Sequence, residues 1–310
     1  MTGMEVMEKH FGPVWFLPGK NRGRYPYCHS IFLPGPGILI DPASNRERLS
    51  ALRTQERVRA VWLSHWHEDH FKDLDIFEDI PLYVSREDAL PLSGIEHLLT
   101  GYDSASEFPY WKKVMEETFH FRPRVPASFL AGGQTIHFDG ITVDIIATPG
   151  HTPGHLAFYF QEPQILFLGD YDLTSFGPWY GDYSSDIEET IKSLQHLQGL
   201  PAKLWITSHE QGIFEELPKE RWQAYEDVIH KRDEKLLQVL TAPRSIEDIV
   251  QHRIVYGRPR EPKEFFAACE KALLKKHLAR LTKQGKLIER RGRYLRKEMS
   301  PLTTRFLAES

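Results

Sequence analysis

The sequence predicts a mixed α/β fold followed by a smaller, mostly helical module, and three observations carry that expectation. Short apolar runs bounded by Pro, Gly, Asn and Asp recur from residue 14 to residue 209, with helix-patterned segments between them. Several of these runs stop abruptly at His or Asp, which is how an α/β sheet presents chemistry at its strand ends. Past residue 215 the composition shifts to long amphipathic helices and a basic hairpin. We therefore expect two domains, 1–215 and 216–310, a division ordinary for a 310-residue chain.

The bulk numbers exclude more than they assign. A hydrophobic fraction of 41% and a charged fraction of 26% are those of a water-soluble globular protein. A net charge of −4 gives no global case for nucleic acid and leaves only local basic patches to consider. The two cysteines, Cys28 and Cys269, are too few and too distant for a disulfide framework or a Cys-type zinc site. The first ten residues lack an apolar signal run, and no segment is long enough to span a bilayer. The expected setting is the cytoplasm, away from membranes.

Taken in order, residues 14–17, 30–33 and 38–40 read as short strands separated by Pro-Gly turns, an antiparallel start to a sheet. Residues 46–57 read as a polar helix leading to an apolar strand at 59–63. Residues 82–85 form the next strand. Residues 93–121 then interrupt the rhythm with Tyr102, Phe108, Tyr110, Trp111, Phe119 and Phe121, helical from 111 to 119. That excursion reads either as a pocket wall or as a helical unit with its own core. Strands resume at 134–138 and 141–146 around Asp139-Gly140, a strong hairpin signal. Two more follow at 156–160 and 164–168, then a helix at 185–197 with Asp186 near its N-cap, then a strand at 203–207.

Chemistry concentrates at these strand ends. Ser64-His65-Trp66-His67-Glu68-Asp69-His70 follows the strand at 59–63 and packs three imidazoles and two carboxylates into seven residues. His65 and His67, two apart on extended chain, face one point, while Asp69 and His70 face another. Imidazole with carboxylate suits zinc first, with iron and manganese also compatible. Later strand ends deliver His151, Asp170 and His209, so a local cluster becomes a constellation. His29 at the mouth of the second strand is read as a pocket-wall or core residue. Phe176, Trp179 and Tyr180, just past Asp170, are candidate pocket walls.

The combined H-x-H-x-D-H, T-P-G-H-T-P-G-H, L-G-D and S-H-E motifs resemble those of the metallo-β-lactamase fold superfamily over roughly residues 14–210. The resemblance implies an αββα four-layer sandwich with a metal site at one edge. It implies that His65, His67 and His151 hold one ion and Asp69, His70 and His209 a second, with Asp170 bridging them. It makes His155 a hydrogen-bonding neighbour rather than a ligand. Two such cations would share a water, lower its pKa and present it as a bridging hydroxide to a carbonyl carbon or a phosphorus. Asp69 and Asp170 are the catalytic candidates.

Departures narrow the field. Phe71-Lys72-Asp73 stands where glyoxalase II-type thioesterases continue Ala-Gly-Gly, which weakens a glutathione-thioester reading. His67 stands where flavodiiron proteins carry an acid. The interval from Asp170 to His209 is too short for a β-CASP insertion. The expected activity is hydrolysis of a small ester, thioester or lactone with two Zn2+. The alternatives are a single-strand-specific endoribonuclease and a mononuclear iron dioxygenase of the persulfide dioxygenase type.

In the last third, helices at 218–240, 246–250 and 267–283 precede strands flanking Arg291-Gly292, the order of a winged helix. It resembles the C-terminal module of lactamase-β-like proteins. Its basic residues, Lys271 to Lys297, could contact RNA phosphates. The plainer expectation, which the scarcity of interleaved aromatics favours, is a roof over the site or a homodimer contact. The expected partner is a small-molecule substrate.

Overall fold

The computed structural model describes residues 7–102 and 110–297. Phe108 lies outside the described residues. The chain first builds a seven-stranded sheet whose order follows the sequence. Its strands are β1 (Lys9–Phe11), β2 (Val14–Leu17), β3 (Ser30–Leu33), β4 (Ile38–Ile40), β5 (Ala60–Trp62), β6 (Leu82–Ser85) and β7 (Ser128–Leu130). The first four pair antiparallel, and β5 to β7 extend β4 in parallel. Each parallel step needs a crossover. These are α1 (Arg46–Gln55), then α2 (Glu68–Phe71), then α3 (Ala89–Leu92), α4 (Ile95–Gly101) and α5 (Trp111–Glu117). Asn45 starts α1 by accepting from the Arg48 N–H.

The second sheet has six strands in the order β13-β12-β11-β10-β9-β8. They are β8 (Thr135–Phe138), β9 (Ile141–Ala147), β10 (Leu156–Phe160), β11 (Ile165–Phe167), β12 (Leu204–Ile206) and β13 (Ile213–Phe214). Only β11 and β12 run parallel, joined by α6 (Ile187–Gln198), whose Asp186 N-cap accepts from Glu189 N–H.

Alternation along the strands gives each sheet two apolar faces. Phe16, Ile31, Ile40 and Trp62 meet Val143, Ile145, Phe158 and Phe167 between the sheets. Leu49, Leu52, Phe71 and Met115 cover the outside of the first sheet, and Leu194, Leu197, Trp222 and Tyr225 the outside of the second. This is the four-layer αββα arrangement. The 93–121 excursion splits between its two readings: Trp111, Met115, Phe119 and Phe121 bury into the outer layer, whereas Tyr102 turns toward His67.

The C-terminal part comprises α7 (Lys219–Val239), α8 (Ile246–Val250), α9 (Lys263–Lys283) and a small antiparallel sheet, β14 (Arg244–Ser245), β15 (Leu287–Arg290) and β16 (Arg293–Arg296), in the order β14-β16-β15. Ser245 and Asp248 form a reciprocal capping box on α8. Arg291 and Gly292 both have positive φ, as the tight hairpin demands. Helix α9 starts at Lys263 rather than 267, because Pro262 marks the entry and Glu264 sits in the first turn. The cores divide inside α7, not before it. Trp222 and Tyr225 belong to the sandwich, whereas Leu236 packs with Leu274 and Leu278.

Candidate metal centre

Four strand ends converge at one edge of the sandwich. The chain leaving β5 carries His65 and His67 on extended backbone, and α2 then turns Asp69 and His70 back toward them. The Leu156 N–H donates to Ser64 O at 2.8 Å and ties this loop to the second sheet. The turn after β9 brings His151, the end of β11 brings Asp170, and the end of β12 brings His209. Gly150 (φ +127°) lets that turn press on α6, since a Cβ there would lie 2.2 Å from Thr190 N. Asp88, buried behind it, accepts from Gly154 N–H at 2.8 Å and from the Thr152 hydroxyl. His155 accepts from the Asp170 N–H at 3.1 Å and so positions the carboxylate, as a neighbour rather than a member of the cluster.

Seven side chains form two adjoining sets. His65 Nε2, His67 Nδ1 and His151 Nε2 lie 2.9–3.1 Å from one another, with ring planes near perpendicular. Asp69, His70 and His209 form the second set. Asp170 stands between them and divides its oxygens. Oδ2 lies 3.3 Å from His151 Nε2 and 3.8 Å from His65 Nε2; Oδ1 lies 2.7 Å from His70 Nε2 and 3.2 Å from His209 Nε2.

Each imidazole's other nitrogen is engaged, which fixes the tautomer. His151 Nδ1 donates to Trp179 O at 3.0 Å, and His209 Nδ1 donates to Gly23 O. His70 Nδ1 meets Asp41 at 2.9 Å, and His67 Nε2 meets Asp182 at 2.6 Å. The Ser64 hydroxyl donates to Asp41 at 2.7 Å, so it accepts from His65 Nδ1 at 2.9 Å. In every case the other ring nitrogen, the one available to a metal, faces the cluster interior.

The donor set fits bound metal. His70 Nε2 and Asp170 Oδ1 are buried and 2.7 Å apart, yet neither is aligned for a hydrogen bond, as expected of two donors turned toward a shared ion. The field favours positive charge as well. Burial works against a charged His67 and a charged His209. Asp182 outweighs it for the first, and Asp172 with Asp170 for the second, raising them to about 9 and about 10. Asp73, Asp75 and His120 also cluster, but Arg46 binds both carboxylates, at 3.0 and 2.8 Å, and makes that group an ion-pair network.

One pocket expectation is corrected, and His29 takes the second of its two readings. His29 has no exposed surface; its Nδ1 accepts from Gly19 N–H at 2.8 Å and its ring packs on Phe16, so it is a core histidine. Tyr180 is equally buried, bonded to His277 at 2.7 Å and to Arg232 at 2.8 Å, and is a core aromatic rather than an exposed wall. Phe176 and Trp179 are half-buried. Phe176 lies under the C-terminal helices, with Arg232 over its ring, while Trp179 supplies the carbonyl that holds His151. The residues that sequence reasoning missed are Asp41, Asp88, Asp172 and Asp182. Asp41 ends β4 as Asp170 ends its own strand, a signal that was present; nothing local marks Asp182.

Residues 23–209 match the Metallo-beta-lactamase superfamily. The chain is 26% identical over 275 residues to Beta-lactamase-like protein 2 homolog of Caenorhabditis elegans, covering 83% of this chain and 81% of that protein. It is 25% identical over 217 residues to the atrochrysone carboxyl ACP thioesterase of Aspergillus fumigatus, covering 68% of this chain and 57% of that protein. A hydroxyacylglutathione hydrolase of Erwinia tasmaniensis is 29% identical over 169 residues, 54% of each chain. Among solved structures, a metallo-beta-lactamase family protein from Thermus thermophilus superposes with a TM-score of 0.69 over 92% of this chain and 99% of that one. At 22% identity that likeness speaks for the fold.

Proposed function

The chain belongs to the metallo-β-lactamase superfamily, and on that premise we propose that it is a hydrolase that uses two zinc ions on a small ester, thioester or lactone. His65, His67 and His151 would hold the first ion, Asp69, His70 and His209 the second, and Asp170 would reach both. Once bound, the pair supplies an acidified water as nucleophile and positive charge for a developing oxyanion. Asp41, Ser64, Asp182 and the carbonyls of Trp179 and Gly23 hold the imidazoles in their donor tautomers. Asp69, with Oδ2 3.6 Å from His209 Nε2, is placed to orient the attacking water and take its proton.

The observation that carries this reading is the division of the two Asp170 oxygens between the two sets. The substrate class draws support from the thioesterase and hydroxyacylglutathione hydrolase among the relatives. It also draws support from three of the C-terminal bases. Lys276 donates to Tyr183 O and Ser185 O, Arg280 binds Asp233 and Glu188, and Lys271 pairs with Glu247. These cations fasten α9 down rather than offering themselves to RNA, so we read residues 216–310 as a winged-helix-like roof over the loop after Asp170. Phe71-Lys72-Asp73 is structural here: Lys72 donates to Thr118 O and Asp73 pairs with Arg46. The free, buried thiols of Cys28 and Cys269 support a cytoplasmic setting.

The test is elemental analysis of protein made without added metal, followed by assays on neutral esters, thioesters, lactones and single-stranded RNA, with Asp69→Ala as control. Two zinc ions per chain and Asp69-dependent cleavage of a small substrate are expected. One iron per chain, or cleavage of RNA alone, would overturn the proposal.

A further inference from the structure

A cavity of about 210 Å³ opens between the end of α8 and the start of α9, remote in sequence from every residue of the metal centre. Arg253, Arg258, Arg260 and Lys263 line it, together with Tyr256 and Phe266. All four cations are exposed. Arg253 and Arg258 make no ion pair among the described residues, and Lys263 has only Glu261 at 4.0 Å. The one carboxylate in the lining, Glu270, is occupied: it accepts from the N–H groups of Val255 and Tyr256 at 2.9 and 3.1 Å and holds the loop in place.

The aromatic part has a defined geometry. The rings of Tyr256 and Phe266 meet edge to face with centroids 5.1 Å apart, and the Arg260 guanidinium lies 5.2 and 5.7 Å from them. The 21-residue helix α9 begins beside this group with no side-chain cap, which adds N–H donors and positive potential at the lining residue Lys263. This aromatic corner, with Arg260 on the rings and further cations along the rim, suits a ligand with a flat ring at one end and negative charge at the other. The cavity also abuts the metal centre's own loop, since Tyr256 lies 5.5 Å from Phe176, six residues past Asp170.

We propose that this cavity binds a nucleoside diphosphate group, either as the free nucleotide or as the end of a carrier on which an acyl thioester rides. The carrier form rests on the hydrolase reading above; binding of the group itself does not. The test titrates ADP and inorganic pyrophosphate into the full-length, metal-loaded protein by calorimetry, alongside Arg253→Glu/Arg258→Glu and Tyr256→Ala. ADP should bind more tightly than pyrophosphate. The double variant should weaken ADP by about tenfold for each arginine lost, and Tyr256→Ala should erase the margin over pyrophosphate. Thermal melting of the double variant should be unchanged, since neither arginine carries an ion pair.

A kinetic arm separates the two sources. If the group belongs to a carrier, the double variant raises KM for acetyl-coenzyme A and leaves a neutral acetyl-N-acetylcysteamine thioester alone. If the nucleotide is free, neither KM moves while ADP still binds. Absent ADP binding, or ADP binding equal in the wild type and the double variant, overturns the inference. So does tight capture of a single-stranded oligonucleotide without ADP binding, which would make this an RNA surface. Failure of the hydrolase reading looks different: the neutral thioester would then resist the metal-loaded wild type.

Discussion

Asp182 is buried, and its Oδ2 lies 2.6 Å from His67 Nε2, which leaves His67 Nδ1 to face the cluster. Replacing it by Asn keeps the shape but removes the charge that orients and enriches this imidazole. Asp182→Asn should weaken metal binding by about 10- to 100-fold with an unchanged far-UV spectrum, measured by competition against a chelator. Equal affinity would mean that the carboxylate is idle. His29 gives a pH-dependent counterpart. Burial lowers it to about 3, so the folded chain keeps it neutral while the unfolded chain protonates near the ordinary 6.5. Its contribution is therefore intact above about 6.5 and lost progressively as pH falls from there toward 3. Urea midpoints of His29→Asn should fall less steeply across that window than those of the wild type, whatever the absolute loss from poorer packing on Phe16. At this scale the sequence was legible where chemistry was local. His65, His67, Asp69 and His70 sit within one heptapeptide, and His151, Asp170 and His209 each end an apolar run. Asp41 meets His70 across 29 positions and Asp182 meets His67 across 115, and no spacing rule reaches that far.

Helix α7 carries none of the proposed metal ligands, yet it holds the loop that positions one of them. Arg232, buried midway along it, donates to Phe176 O at 2.7 Å, Pro178 O at 3.1 Å and the Tyr180 hydroxyl at 2.8 Å. All three acceptors lie on the loop after Asp170, and the next carbonyl in that loop, Trp179 O, holds His151. Arg232→Met would leave buried carbonyls unpaired, at a cost of about 3 kcal/mol. Melting should drop by several degrees and kcat/KM should fall with it, and Arg232→Lys should rescue neither fully because one ammonium cannot reach three acceptors. An unchanged melt would show that the loop stands without α7. Most elements were readable because apolar runs and turn residues alternate cleanly, as in β9 with Asp139-Gly140 before it. The strands β1, β7, β13 and β14 were not. They have two or three residues each and exist through pairing with β2, β6, β12 and β16, not through a pattern of their own.

At the scale of the molecule, the composition shift past residue 215 is real, but it does not coincide with the packing boundary. The break in sequence marks where the strands that bear the proposed ligands end. The packing boundary depends on which apolar faces need covering, and the second sheet has an outer face that α6 alone does not close. Trp222 and Tyr225 from the first half of α7 join Leu166, Tyr171, Leu194 and Trp205 there, and Tyr225 donates to Asp170 O at 3.0 Å. Burying each of these two side chains is worth about 2–3 kcal/mol, so their joint loss takes a large part of a typical stability margin. A chain cut after residue 215 should therefore fail to fold cooperatively, although it contains every proposed ligand. A chain cut after residue 240 keeps that seal and the Arg232 contacts while losing the α9 contacts of Lys276, His277 and Arg280. It should fold, bind metal and turn over more slowly, because Tyr180 and the loop around it lose their second anchor. Chemical denaturation and metal content of the two truncations distinguish these outcomes. If the shorter chain gives a cooperative transition and holds its metal, then α7 belongs to the roof alone and the sandwich closes without it.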